Sequence, residues 1–103
     1  MQTVTVRTRI RAGMAAEYER RHQRVPDELD AALRAAGVAS WRIWRDGLDL
    51  FHLIEVEDYR AMRRRLASDP ANLAWQERIN EVLEVADDYR GEDDGLPLVW
   101  ALP

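Results

Sequence analysis

The chain has 103 residues, enough for one domain with a core that a partner subunit would help to complete, and its 15 basic against 19 acidic residues leave a formal charge of −4. With no cysteine, disulfides, thiolate zinc sites and cysteine nucleophiles are excluded. The acidic balance also argues against a nucleic-acid partner, whose phosphates ask for a concentrated positive surface; Arg63, Arg64 and Arg65 are the one basic cluster and read as a solvated helix face.

The opening MQTVTVRTRIR lacks the continuous apolar run of a signal peptide, and no stretch is long enough to span a bilayer. A cytoplasmic protein without membrane contact is therefore expected. From Val4 to Ile10, apolar Val4, Val6 and Ile10 alternate with Thr5, Arg7 and Arg9, the period of a half-exposed first strand. Ala12 and Gly13 turn the chain into a first helix, with Gly13 at the N-cap and Glu17 near the positive end of the helix dipole.

Within that helix Tyr18, His22, Val25 and Leu29 are spaced four, three and four apart, so they share a face that Ala32 and Ala36 continue. Two polar-tipped side chains thus sit on the stripe that should be buried. Pro26 has no N–H to offer the carbonyl of His22, and its ring crowds that carbonyl, so the helix should bend or restart beside the histidine. Such a place suits the wall of a pocket. The plainer reading is a hydrogen-bonded core histidine, the commoner fate of a lone inward histidine. Gly37 supplies the left-handed residue that ends the helix at Ala36.

Ser40 to Arg45 reads as a second strand, with Trp41 and Ile43 on one face and Arg42 and Trp44 on the other. Asp46-Gly47 is a two-residue hairpin signal, which would pair Arg45 with Leu48, Ile43 with Leu50 and Trp41 with His52. His52 would then lie beside Trp41. The third strand, Leu50 to Val56, is apolar on one side through Leu50, Ile54 and Val56 and on the other through Phe51 and Leu53, so both faces need a cover.

Asp58 opens a second helix with Tyr59, Met62 and Leu66 inward and the arginines outward. Asp69-Pro70 interrupts and restarts it, as N-cap and first helical residue, and the renewed helix carries Trp75, Ile79, Val82 and Ala86 on one face with Gln76 beside Trp75. Asp87 to Gly95 is read as a polar loop, without the regular alternation of a calcium loop. Leu98 to Leu102 is expected to be a last strand.

The order strand, helix, strand, strand, helix, strand is that of an α+β ferredoxin-like βαββαβ sandwich, with both helices on one face of an antiparallel sheet. The other face is left bare, and covering its apolar residues calls for a homodimer. Tyr18, His22, Trp41, Trp75, Gln76 and, as an additional pocket residue, His52 can converge between helices and sheet. Indole faces with a few polar tips suit a sugar, whose axial C–H bonds stack on rings while its hydroxyls take hydrogen bonds.

The chain resembles the L-rhamnose mutarotase family along nearly its whole length, 1–103. The resemblance is carried by Glu17-Tyr18 with His22 four residues on, Glu28-Leu29, Gly37, Trp41 early in the second strand, Leu50-Phe51 leading to Glu55-Val56-Glu57, Trp75, and Leu102-Pro103. It implies a dimeric α/β barrel that uses no cofactor and no metal, in which His22 is the proton donor, Tyr18 binds sugar, and Trp41 and the pair Trp75-Gln76 line the substrate site. The family usually has tyrosine at the place of Trp41, a second tryptophan at that of Gln76 and a small residue at that of His52.

Exchange of α and β anomers of L-rhamnose or a related 6-deoxyhexose needs one acid and one base; for the base, Tyr18, His52 and water are all open. Two other readings compete. One is a cyclase or cofactor-independent oxygenase of the same barrel acting on a small aromatic compound, and the other is a non-catalytic ligand-binding domain.

Overall fold

The computed structural model describes residues 1–103, and it builds three strands and four helices. Strands β1 (Gln2–Arg9), β2 (Val38–Asp46) and β3 (Asp49–Val56) form one antiparallel sheet in the order β1-β3-β2, with helices α1 (Ala15–His22), α2 (Asp27–Ala35), α3 (Tyr59–Leu66) and α4 (Pro70–Asn80) packed on one face. No helix is long and apolar enough to cross a membrane.

The expected break beside His22 is present. Helix α1 ends at His22, and Pro26, extended at ψ 143°, serves as N-cap of α2. Val25 therefore falls between the helices and is 37% exposed rather than buried with Leu29. Gly13 is not the N-cap of α1; Met14 holds that place, and Gly13 instead makes the turn before it at φ 81°. Asp58 and Asp69 cap α3 and α4, Asp69 accepting from the backbone N–H groups of Ala71 and Asn72 with Pro70 at the first helical position.

The β2–β3 register is two residues away from the one that an Asp46-Gly47 turn would set. Asp46 pairs with Asp49, so Gly47 and Leu48 form the loop, with Gly47 at φ 60° and Leu48 at negative φ. This is the hairpin form that asks for glycine at its first central position. Because side chains alternate with a period of two, a two-residue shift leaves every side chain on its expected face. His52 is now opposite Ile43, and Trp41 is its diagonal neighbour.

Three expectations about the second half are corrected. Arg63 does not face out with its neighbours: its side chain is 7% exposed, paired with Asp87 at 3.2 Å and Asp93 at 3.7 Å, and stacked over the ring of Tyr89 at 4.4 Å. It lies four residues after Tyr59, on the same side of α3. The segment Leu98–Leu102 forms no strand. The outer edge of β1, where a fourth strand belongs in a ferredoxin-like sheet, is covered instead by Val82–Glu84, through Arg11 N–H to the Val82 carbonyl (2.8 Å) and Glu84 N–H to the Arg9 carbonyl (2.9 Å). Farther along this edge Leu96 N–H reaches the Thr5 carbonyl at 2.7 Å, and Pro97 has no N–H with which to continue a ladder. Helix α4 stops at Asn80, and Ala86 is consequently exposed in a loop.

The inward face of β3 reads Leu50, His52, Ile54, Val56, all buried. Leu50 belongs to one apolar cluster, with Ile10, Tyr18, Leu29, Trp75 and Ile79, and Ile54 and Val56 to a second, with Val38, Tyr59, Met62 and Leu66. His52 is the polar position between them, at the floor of a cavity.

Candidate active site

The cavity has a volume of about 310 Å³, at the low end of the range of about 300–1,000 Å³ for small-molecule sites. Tyr18 and His22 of α1, Thr8 of β1, Trp41 of β2, His52 of β3, and Trp75 and Gln76 of α4 all line it. Every site residue expected from the sequence is thus at one cavity.

His22 occupies the last turn of α1, where Nδ1 lies 3.1 Å from the carbonyl oxygen of Tyr18. A carbonyl only accepts, so Nδ1 carries the proton and Nε2 of the neutral ring keeps its lone pair. The ring is fixed on its sides by Tyr18, centroids 4.3 Å apart and tilted by 31°, and by Trp75, which meets it edge-on at 5.1 Å. Burial pushes the His22 pKa below the ordinary histidine value, against the opposing effect of the Tyr18 carbonyl. Burial raises the Tyr18 phenol well above the ordinary tyrosine value, so at neutral pH it is an intact hydroxyl. That hydroxyl makes no hydrogen bond within the protein.

His52 differs in kind. The indole N–H of Trp41 donates to its Nδ1 at 3.1 Å, and Nε2 lies 2.9 Å from the Thr8 hydroxyl. An indole nitrogen can only donate, so Nδ1 is the acceptor and Nε2 carries the proton. Burial, reinforced by the nearby His22, lowers its pKa to about 4. His52 is neutral at pH 7, and its lone pair is already engaged.

On the opposite wall, Trp75 is buried against His22, with the Arg78 guanidinium 5.8 Å from the centre of its ring. The Gln76 amide N–H donates at 3.3 Å to Asn72, itself 1% exposed and donating to the Leu66 carbonyl at 3.0 Å. This leaves the Gln76 carbonyl oxygen as an acceptor at the cavity.

Lining residues not anticipated from the sequence include Thr8, Asp87 and Tyr89. Thr8 carried a legible signal, since it is the polar member of the inward series Val4, Val6, Thr8, Ile10. Asp87 and Tyr89 come from the loop after α4, which Arg63 and the Asn80 side chain hold against the helices, and no periodicity reports on that.

A family model for L-rhamnose mutarotase matches residues 3–102. The chain belongs to that family. L-Rhamnose mutarotases are isomerases that interconvert the anomers of L-rhamnose. The L-rhamnose mutarotase of Verminephrobacter eiseniae is 37% identical over 95 residues, spanning 88% of this chain and 81% of its own. Among solved structures, an L-rhamnose mutarotase from Formosa agariphila superimposes with a TM-score of 0.79 at 20% identity, and the tetracenomycin F2 cyclase of Streptomyces glaucescens with 0.64 at 19%, each over 100% of both chains. These two likenesses establish the fold, a ferredoxin-like unit of the dimeric α/β barrel type. The mutarotase family assignment rests on the sequence.

Proposed function

We propose that the cavity binds L-rhamnose or a related 6-deoxyhexose and exchanges its anomers, with His22 as the group that moves the proton. The reaction removes a proton from the anomeric hydroxyl, delivers one to the ring oxygen and breaks the bond between the anomeric carbon and that oxygen. The open aldehyde rotates, and reclosure on its other face reverses the transfers. The observation that carries the reading is the exposed lone pair of His22 Nε2 in a ring whose other nitrogen is anchored on its own helix.

The resting imidazole is neutral, so the proton that it gives to the ring oxygen must first be loaded onto Nε2 from the anomeric hydroxyl or from water. Of the other candidate bases, Tyr18 is held protonated by burial and His52 has no free lone pair, which favours water or His22 itself in that role. Tyr18 and Gln76 offer a hydroxyl and an amide oxygen to sugar hydroxyls, and Trp41 and Trp75 offer flat apolar walls. Cyclase or oxygenase chemistry on an aromatic compound has only the fold-level likeness to the tetracenomycin cyclase behind it. Saturation-transfer NMR across a panel of free sugars tests the reading. Exchange should be accelerated for L-rhamnose or another 6-deoxyhexose, and acceleration for none would refute it.

Sugar binding should change tryptophan fluorescence through Trp41 and Trp75, while Trp44 and Trp100, 52% and 72% exposed, should not contribute. Trp41→Phe and Trp75→Phe should each diminish the response. A response that survives both unaltered would refute the stacking arrangement.

We further propose that the protein works as a homodimer closed over the sheet face that carries Trp44, Phe51 and Leu53. Support comes from the exposure of Trp44 and of Leu98, Val99, Trp100 and Leu102, a large apolar surface for a small chain. Sedimentation should give a dimer, and a monomer at high micromolar concentration would contradict this packing. A cytoplasmic location accords with the cysteine-free chain, and cell fractionation checks it.

A further inference from the structure

We infer that Thr8 is a sugar-binding residue whose hydroxyl donates a hydrogen bond to an oxygen of the bound sugar, in an orientation imposed by His52 and Trp41. The inference rests on the mutarotase reading of the cavity and adds to it a residue on β1, the strand that flanks β3 on the side away from Trp41.

Hydrogen-bond donation runs in one direction across three strands, from Trp41 through His52 to Thr8. Trp41 of β2 has one polar hydrogen, and it is spent on Nδ1 of His52, 3.1 Å away. His52 of β3 must then carry its proton on Nε2, which lies 2.9 Å from Oγ1 of Thr8 on β1. The Thr8 oxygen is therefore an acceptor of that bond, and its own hydrogen has no acceptor within the protein. Trp41 has no hydrogen left to give, and both nitrogens of His52 are occupied. The donor capacity of the whole relay thus emerges at a single hydrogen, that of Thr8, on the cavity wall.

The sheet makes this relay rigid. His52 faces Val6 on one side and Ile43 on the other, so Thr8 and Trp41 are its diagonal neighbours on the two flanking strands. Side chains of a sheet reach such diagonal partners when they are as long as histidine and tryptophan. Burial keeps His52 neutral through the physiological range, which keeps the direction of donation fixed. His52 acts as a positioning residue: it orients the Thr8 hydroxyl and sets the plane of the Trp41 ring, with both of its nitrogens engaged within the protein.

The test combines anomer-exchange kinetics on L-rhamnose with NMR of the free protein. Thr8→Val keeps shape and strand preference but removes the hydroxyl, so KM should rise about three- to tenfold with kcat much less affected, the loss expected of one neutral hydrogen bond. Thr8→Ser should restore most of it. In free protein, His52→Ala should shift the indole N–H resonance of Trp41, whereas Thr8→Val should leave it near its wild-type position. If Thr8→Val does not fold, Thr8→Ala carries the same kinetic comparison with Thr8→Ser. A Thr8→Val protein with wild-type KM, or an unmoved Trp41 resonance in His52→Ala, overturns the inference while leaving the mutarotase reading in place. A wild-type protein that exchanges no sugar overturns both.

Discussion

Replacing His22 by glutamine is expected to slow anomer exchange by roughly a hundred- to ten-thousand-fold, the usual worth of one positioned proton-transfer group. Glutamine is of similar size and can hydrogen-bond, but it neither accepts nor delivers a proton near neutral pH. Folding and sugar affinity should largely survive, because the ring contributes one hydrogen bond, to the carbonyl of Tyr18 in its own helix, and packs at the edge of the cavity. A merely structural histidine predicts the opposite pattern, with about 1–3 kcal/mol lost from stability and little change in the turnover of the folded fraction. Exchange rates by NMR and a denaturant melt of the same variant separate the two. Near-wild-type exchange in folded His22→Gln would remove the catalytic assignment.

The same geometry fixes the sign of the pH dependence. If the neutral ring is the resting form, activity is lost as pH falls and Nε2 becomes protonated. Burial depresses the His22 pKa, so the acid limb of the rate profile should lie below the ordinary histidine value of 6.5. His52, at about 4, titrates lower still. A midpoint well above 6.5 would place the controlling group elsewhere.

Much of this site was legible in the sequence because it depends on periodicity, which is local. Tyr18 and His22 are one helical turn apart, and Pro26 marks the break, so their common inward direction needs no knowledge of the rest of the fold. The expected pairing of Trp41 with His52 was wrong, but their placement side by side on one face survived the wrong hairpin register for a similar reason: the Asp46-Gly47 signal was off by two residues, and two is the period of a strand. What was not legible depends on distant chain segments. Thr8 acquires its place through a histidine 44 residues away. The rank of arginines on α3 looked like a solvated face because the carboxylates that draw Arg63 inward follow it by more than 20 residues. The apolar tail Leu98–Leu102 has strand-like composition, yet the one hydrogen bond that leads toward it, from Leu96, is followed at once by a proline.

Arg63 carries the second large expected effect, this time on stability. Its guanidinium accepts the cost of burial because Asp87 and Tyr59 more than offset it, raising its pKa despite desolvation. It donates to the Asp88 carbonyl at 2.9 Å as well as to Asp87, and it lies between the rings of Tyr89 and Tyr59, at 4.4 and 5.9 Å. The Tyr59 hydroxyl donates in turn to Asp93, at 3.0 Å. One side chain therefore ties the loop after α4 to the face of α3. Arg63→Met keeps an apolar stem of similar length and deletes the charge. Removing one partner of a fully buried pair costs about 3–5 kcal/mol, but Asp87 and Asp93 are about one-third exposed and can rehydrate, so a loss of about 2–4 kcal/mol is expected. The neighbouring Arg64, exposed on the same helix, supplies the control, since Arg64→Met should change stability by no more than about 0.5 kcal/mol. Because Asp87 and Tyr89 also line the cavity, the looser loop should weaken L-rhamnose binding in Arg63→Met even where the protein remains folded. Denaturant melts of the two variants, followed by sugar titration of each, measure both effects. Equal melts would mean that the loop is held by its backbone and by Asn80, whose side chain takes the Asp87 N–H at 3.0 Å, and that the buried guanidinium adds nothing to it.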